Sequence, residues 1–546
     1  MMLRFAVATA VVAAVVVAVP AVGRAFDACM RAAARVGRSR AASFALIGFL
    51  SLASCAGPAI VWGLPLPNVH DEFAYLLAGE TFARGRLTNQ PHELGEFFQT
   101  FHVLQSPTYM AKFPVGQGMA LAAGIVLGHP IIGVWLSMVL ASVATYWMLR
   151  AALPPRWALV GGAIAATHPL CVWWGTSYWG GGVAMLGGAV FGGAAMRAAK
   201  APRPAWGLLI GAGLAILANS RPLEGLIVST ILGAWLTRRA VRSHQIRLHL
   251  LRTLLPSVLI LAPTFAFIAY DNFRVTGDPL TLPYALHHRQ YMVAPLFYYQ
   301  RPEDPPPAYA HADLRDFHTR VEMDEYRKQL GPIDHEPSLA GMPGKWKLCA
   351  ENFVNPPTLY VPLVAAVVLA ARARPVTLAL AACLLLVVIH TLVTPWLRPH
   401  YLAPALGWFV LLATIGLREL SRLKSGGLPI ARTVFVAQLV GSAMWMPHLA
   451  KDLARPPDAL QRESILARLR VEPGKHLVLV RYGPRHDPLV ERVVNEPDID
   501  ASRIVFARSR DDAGDARIIG YFADRRTWVL LDDGTRVELR PFPGNL

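Results

Sequence analysis

Charge is scarce in this chain. Of its 546 residues only 16% are charged, against 54% hydrophobic, where a soluble globular protein carries roughly a quarter charged. Cysteine is scarce too: Cys29, Cys55, Cys171, Cys349 and Cys383 are scattered and form no CxxC pair, so neither a disulfide framework nor a thiolate metal site is implied. There is no Gly-rich phosphate loop, which speaks against an ATP-driven transporter. Zinc-finger spacing, an aromatic-basic RNA motif and a basic region with heptads are also missing, so nucleic acid is not an expected partner.

What the chain has is long apolar runs and a mean hydropathy of +0.37. They lie near 3–22, 41–62, 118–149, 157–171, 181–197, 206–219, 222–237, 254–270, 357–371, 376–393, 402–417 and 430–447. Several fall short of the roughly 20 residues that a perpendicular span needs. The 118–149 run is long for one span and His129-Pro130 is a candidate break within it; taken together the runs predict an all-α polytopic membrane protein of about eleven or twelve transmembrane helices.

The net charge of +17 fits the same picture. Basic residues collect at 24–40, 150–156, 197–203, 238–252, 372–374 and 418–432, as the positive-inside rule expects of cytoplasmic connections. The alternating connections 63–117, 172–180, 271–356, 394–401 and the tail after 448 are then extracytoplasmic. The expected organisation is an N-terminal hydrophobic segment with a basic cytoplasmic linker (1–40), a membrane domain (41–450) with large loops at 63–117 and 271–356, and a small α/β domain (455–546). The runs 477–480, 504–507 and 528–531 read as strands of that last domain. Arg4 followed by an Ala/Val run reads equally as a signal peptide or a retained helix.

The sharpest local feature is Asn68-Val69-His70-Asp71-Glu72, directly after the 41–62 helix. Two carboxylates in a first helical turn favour the helix dipole, with Asn68 as a possible cap. At a membrane boundary, desolvation raises a carboxyl's pKa and suits it to act as a base. Paired acids also hold divalent cations. Adjacent helical side chains diverge by about 100°, so Asp71 and Glu72 are expected to have separate jobs.

Asp71-Glu72 in this position resembles the family of membrane glycosyltransferases with the GT-C fold. The bacterial branch with protein mannosyltransferases, the lipid A aminoarabinose transferase and lipopolysaccharide-core sugar transferases is the most similar. The resemblance covers about 41–450. It implies a multi-pass inner-membrane enzyme with its active site on the extracytoplasmic face. A polyprenyl-phosphate sugar would be the donor and a lipid, glycan or protein the acceptor. The loop carboxylate would act as base or metal-associated acid, with a divalent cation as the possible cofactor. Lys112-Phe113-Pro114-Val115-Gly116-Gln117-Gly118 is similar to the stretch these transferases place before their next helix. Tyr270–Pro279, Pro283-Tyr284 and Asn495–Asp500 resemble stretches of bacterial relatives of this fold and assign no role.

Three basic sites depart from the cytoplasmic pattern and are candidates for a lipid phosphate. Lys112 offers a compact charge, or snorkels at a helix start. Arg221 precedes Pro222-Leu223-Glu224; at membrane depth an arginine costs roughly 2.5–3.5 kcal/mol, so it either pairs with Glu224 or grips phosphate oxygens. Arg398, His400 and Tyr401 form the third site, with interfacial aromatics as the plainer reading of Tyr401. Trp173 to Trp179 reads mainly as an aromatic belt. His70, His92 and His102 are weak metal candidates beside Asp71 or Glu72, since isolated loop histidines are usually surface residues; His92-Glu93 lacks the second histidine of a zincin. The competing class is a non-enzymatic transporter or lipid flippase, which would line a central pathway with such charges rather than gather them at one face.

Overall fold

The computed structural model describes residues 19–330, 342–423, 431–434 and 455–543, with Val11, Val15 and Val436. The spans expected at 3–22 and 430–447 fall largely outside the described residues. Every other apolar run is helical. Among the described residues, five helices are long and apolar enough to cross a membrane: Arg40–Trp62, Pro130–Leu149, Ile246–Thr276, Arg374–Val393 and Pro399–Leu420. Two bent pairs raise the number to seven, Pro155–Ala166 with Pro169–Gly175 (50°) and Pro343–Phe353 with Pro357–Ala370 (98°). This is a multi-pass membrane protein.

Of the remaining runs, 222–237 lies in the 21-residue helix Pro222–Arg242, long enough but too polar at its ends to count as a span, and the others are too short. Val115–Val126, Gly182–Ala198 and Pro204–Ala218 are shorter helices, because hydropathy reports apolarity and not helical continuity. The 118–149 run is two helices. His129-Pro130 breaks it: the His129 side chain caps the second helix by accepting from the Ile131 N–H at 3.2 Å, and a prolyl nitrogen suits that first turn. Gly124 and Gly133 let the pieces fold onto each other, since a Cβ at Gly133 would lie 1.8 Å from the Ala120 carbonyl oxygen. The basic linker is likewise largely a helix, Pro20–Val36.

The C-terminal region is a four-stranded sheet, preceded by two short paired strands in the first loop. The strands are β1 (Val103–Leu104), β2 (Met110–Ala111), β3 (His476–Tyr482), β4 (Ile504–Arg508), β5 (Arg526–Asp532) and β6 (Val537–Pro541). The large sheet has the order β4-β3-β5-β6, with β3 parallel to both β4 and β5, and β6 antiparallel at the edge. Leu477 to Val480 is buried throughout, as expected of a strand covered on both faces. Val478 and Val480 pack with Ile465 and Leu469 of the Pro457–Val471 helix. Leu477 and Leu479 share a core with Leu94, Phe97, Phe98 and Leu104 of the first loop. The sheet is therefore built onto that loop.

The connections expected on one face do meet. Residues of 63–117, 172–180, 271–356, 394–401 and the C-terminal sheet contact one another, as in Tyr178 N–H to Glu72, Thr108 to Val275 and Arg86 to Asp498. The basic connections meet among themselves, as in Lys200 to Ala151, Arg239 to Ala199 and Arg432 to Asp27.

Candidate active site

The His70–Ala83 helix starts at N-cap Val69, not at Asn68. Glu72, at its third position, turns back to accept the Asn68 and Val69 N–H groups at 2.8 and 3.2 Å, the reciprocal half of a capping box. Its other oxygen accepts the Tyr178 N–H at 2.8 Å, and the residue is buried. Expected as a second acid of the site, Glu72 is committed to holding backbone: it joins the 172–180 connection to the first loop.

Asp71 points the other way, as the 100° divergence requires. Its carboxylate lies 3.2 Å from His70 Nδ1 and 3.6 Å from His102 Nε2, with the side chain 32% exposed. Burial alone would raise this carboxyl. The facing His102 and His70 imidazoles outweigh it and hold Asp71 well below the usual carboxylate range, opposite to the direction expected from desolvation at a membrane boundary.

His102 sits at φ +65°, a left-handed conformation that a non-glycine residue adopts at a cost. Next to it the β1–β2 pair aligns Val103 with Ala111, and the Lys112 N–H donates to the His102 carbonyl at 3.0 Å. This short hairpin therefore sets Lys112 opposite His102. Lys112 is 2% exposed; its ammonium lies 4.5 Å from the Tyr284 ring centre and 4.0 Å from Met292 Sδ. Burial pushes Lys112 down to about 8, opposed by Glu322 and Asp71. Burial, then the Lys112 charge, pushes His102 down to about 3.

Gly116 brings the next cation close. Its N–H donates to the Asn219 carbonyl at 2.7 Å, and a Cβ there would lie 2.6 Å from the same oxygen, which only glycine avoids. Two residues on, the Arg221 guanidinium lies 4.4 Å from the Tyr401 ring centre, a cation–π contact. Arg221 does not pair with Glu224, the alternative its spacing offered. Glu224, one turn into the Pro222–Arg242 helix, faces His390 at 3.1 Å instead.

His400 is buried between Trp179 (5.1 Å) and Tyr401 (4.7 Å). Burial, then the neighbouring Tyr401, Asp71 and Glu322, push the Tyr284 hydroxyl up, with Arg221 opposing. Lys112 thus lies over Tyr284, and Arg221 over Tyr401, against which His400 packs; Asp71 stands beside His102, whose carbonyl takes the Lys112 N–H. Arg398 is at the rim, 51% exposed and paired with Glu325 at 3.3 Å.

Sequence reasoning passes over Tyr284, His287, Phe317 and Glu322. Pro283-Tyr284 is the only one of these with a sequence signal, a Pro-Tyr pair to which no role attached. Phe317 packs against His70 (5.7 Å) and Phe101 (4.3 Å).

His70, Asp71 and His102 offer ligand atoms all within 4.8 Å of one another. With His70 Nδ1 turned to Asp71, His70 Nε2 and His102 Nδ1 are buried without a hydrogen-bond partner, a cost of about 1–3 kcal/mol for each orphaned group. Two imidazoles and one carboxylate suit zinc or a neighbouring transition metal better than magnesium or calcium. The residues fit a divalent cation. His92, the third candidate histidine, is held away from this cluster by Asp500 of the C-terminal region at 3.1 Å.

No family model matches the sequence, and no curated protein matches it. Solved structures do share its fold. ArnT from Cupriavidus metallidurans in the apo state superposes with a TM-score of 0.50 at 13% identity, covering 89% of this chain and 93% of that one. The same protein bound to undecaprenyl phosphate gives 0.49 at 13%, with 90% and 92% covered. The Archaeoglobus fulgidus oligosaccharyltransferase in complex with Zn and sulfate gives 0.47 at 11%, covering 90% of this chain and 68% of that one. The first of these carries the assignment: the fold is GT-C-like.

Proposed function

We propose that this chain is a glycosyltransferase of the inner membrane, acting at its extracytoplasmic face. It transfers a sugar from a polyprenyl-phosphate donor to a hydroxyl of a lipid, glycan or protein acceptor, with inversion. One observation carries the reading: Asp71, held ionised beside His70 and His102, is joined through the His102 carbonyl to the strand end that bears the buried Lys112, and Arg221 stacks on Tyr401, all in the loops and helix starts at one end of a helical bundle. A transporter or flippase would need such charges along a pathway through the bundle.

The acceptor oxygen attacks the anomeric carbon as the bond from that carbon to the phosphate oxygen breaks. The acceptor's proton passes to Asp71 and the polyprenyl phosphate leaves as an anion. Asp71 is a weak base, so its proton transfer falls late, and its charge chiefly orients the hydroxyl and stabilises positive charge developing on the sugar. Lys112 and Arg221 take the leaving phosphate, the guanidinium through paired N–H groups. Tyr401 holds the Arg221 plane, His400 supports Tyr401, and Arg398 guides the phosphate at the rim. A divalent cation held by His70, Asp71 and His102 would add a fixed positive charge for phosphate oxygens.

The test is an inventory of lipid-linked sugars in a host strain lacking this chain. The reading expects one polyprenyl-phosphate sugar to accumulate and one envelope glycan to lose that sugar, both reversed by the intact gene. An unchanged inventory, with substrate uptake by sealed proteoliposomes, would replace the enzyme with a transporter.

A further inference from the structure

The C-terminal sheet carries one buried arginine that touches three separate parts of the chain. Arg508, the last residue of β4, has a side chain 2% exposed. Its Nε donates to the Gln99 carbonyl of the first loop at 2.6 Å. One terminal nitrogen bonds Asp313 of the central loop and the other bonds Glu491 of its own domain. Glu491 is itself fixed by the Tyr482 hydroxyl at 2.6 Å and the Val493 N–H at 2.7 Å.

Both loop contacts lead to the candidate active site within a few residues. Gln99 is followed by Phe101 and His102, whose rings lie 5.2 and 4.4 Å from that of His70. Asp313 is followed by Phe317, 5.7 Å from His70, on a turn that continues into the Glu322–Leu330 helix. Outlying ties follow the same pattern: Arg84 and Arg86 to Asp498, His92 to Asp500, and Arg517 to Glu96. The outer arginine pairs are solvent-accessible and individually weak. Arg508 is not, because removing it strands the buried Glu491 carboxylate and the half-buried Asp313.

We propose that the C-terminal domain is a clamp on the active site, with Arg508 the positioning residue that fixes the loops carrying His102 and Phe317. This rests on the reading of the Asp71 cluster as the reactive centre. A planar five-donor fork can reach three acceptors in different directions, which an ammonium cannot do with the same geometry.

The experiment is amide hydrogen exchange on the full-length protein in nanodiscs, with Arg508→Met, Arg508→Lys and Asp313→Asn. In Arg508→Met, exchange should rise at least tenfold in 99–103 and 312–321 and less than threefold in β3. Arg508→Lys should recover part of that protection. Asp313→Asn, which cuts one arm and leaves the sheet intact, should loosen 312–321 and spare 99–103. In membranes with their own lipid-linked sugar, donor consumption by Arg508→Met should fall at least tenfold while binding of undecaprenyl phosphate stays within twofold. Unchanged exchange in both loops, or a rise in β3 equal to theirs, would overturn the clamp, as would full donor consumption by Arg508→Met. A wild type with no donor consumption would count against the transferase reading, and the exchange pattern would still decide the clamp.

Discussion

His102 holds its Nε2 3.6 Å from the Asp71 carboxylate from a backbone at φ +65°. Its placement is bought with strain of order 1–3 kcal/mol at a position glycine would occupy freely. The expectation is that the ring, and not the backbone, is what the site requires. His102→Gly should fold with an unchanged or higher thermal midpoint and lose about 100-fold in turnover, in the range of a lost proton-handling or orienting group. Wild-type turnover in the glycine variant would show the imidazole to be dispensable.

Lys112 gives the pH dependence. With its ammonium depressed to about 8 by burial, the charge that receives phosphate is present below that pH and lost above it. The kcat/KM profile, which reports the free enzyme, should have an alkaline limb near 8. Lys112→Arg keeps its charge throughout this range, so the limb should vanish even if the maximum is lower.

Arg221 and Tyr401 separate stacking from hydroxyl chemistry. Tyr401→Phe keeps the face that supports the guanidinium and should bind undecaprenyl phosphate within about threefold of wild type. Tyr401→Leu removes a cation–π contact worth about 0.5–2 kcal/mol and should weaken binding by roughly 2- to 30-fold. Equal effects of the two variants would place the hydroxyl, not the ring, on the phosphate.

Glu72 belongs to the fold. Glu72→Gln retains one acceptor for three N–H donors, and charge-assisted bonds of this kind are worth about 1.5–3 kcal/mol each. Thermal unfolding in detergent should show a lower midpoint, with turnover per folded molecule within about threefold. Loss of turnover at an unchanged midpoint would return Glu72 to the chemistry.

The cation site is open to direct titration. Chelator-treated protein should bind one Zn2+ per chain, measured by calorimetry, and His70→Ala and His102→Ala should each weaken that binding at least tenfold. Equal affinity in all three proteins would move the metal elsewhere.

Much of the membrane fold is legible because burial in lipid demands apolar runs and helices, and because basic residues mark connections that meet one another. Span length was less legible: His129-Pro130 marks where the 118–149 run divides, but Gly133 permits a fold-back that composition does not reveal. Strands β3 to β5 show as apolar runs, whereas β6, Val-Glu-Leu-Arg-Pro, is an edge strand without one. Within the site, Asp71, Lys112, Arg221 and His400 are visible because ionisable groups at a membrane boundary need a reason to be there. Glu72 looks identical to Asp71 in sequence, and only the turn of the helix separates a structural carboxylate from an exposed one. Tyr284, Phe317 and Arg508 reach the site through contacts far apart in sequence, up to 409 residues for Arg508 and Gln99, which no local pattern encodes.

The most direct measurement is sugar transfer from lipid-linked donor in purified membranes containing Asp71→Asn at wild-type abundance. Asparagine keeps the size and removes the charge and the proton acceptor. The account predicts a fall in transfer of at least about 100-fold with undecaprenyl phosphate binding retained. Transfer at the wild-type rate would contradict it.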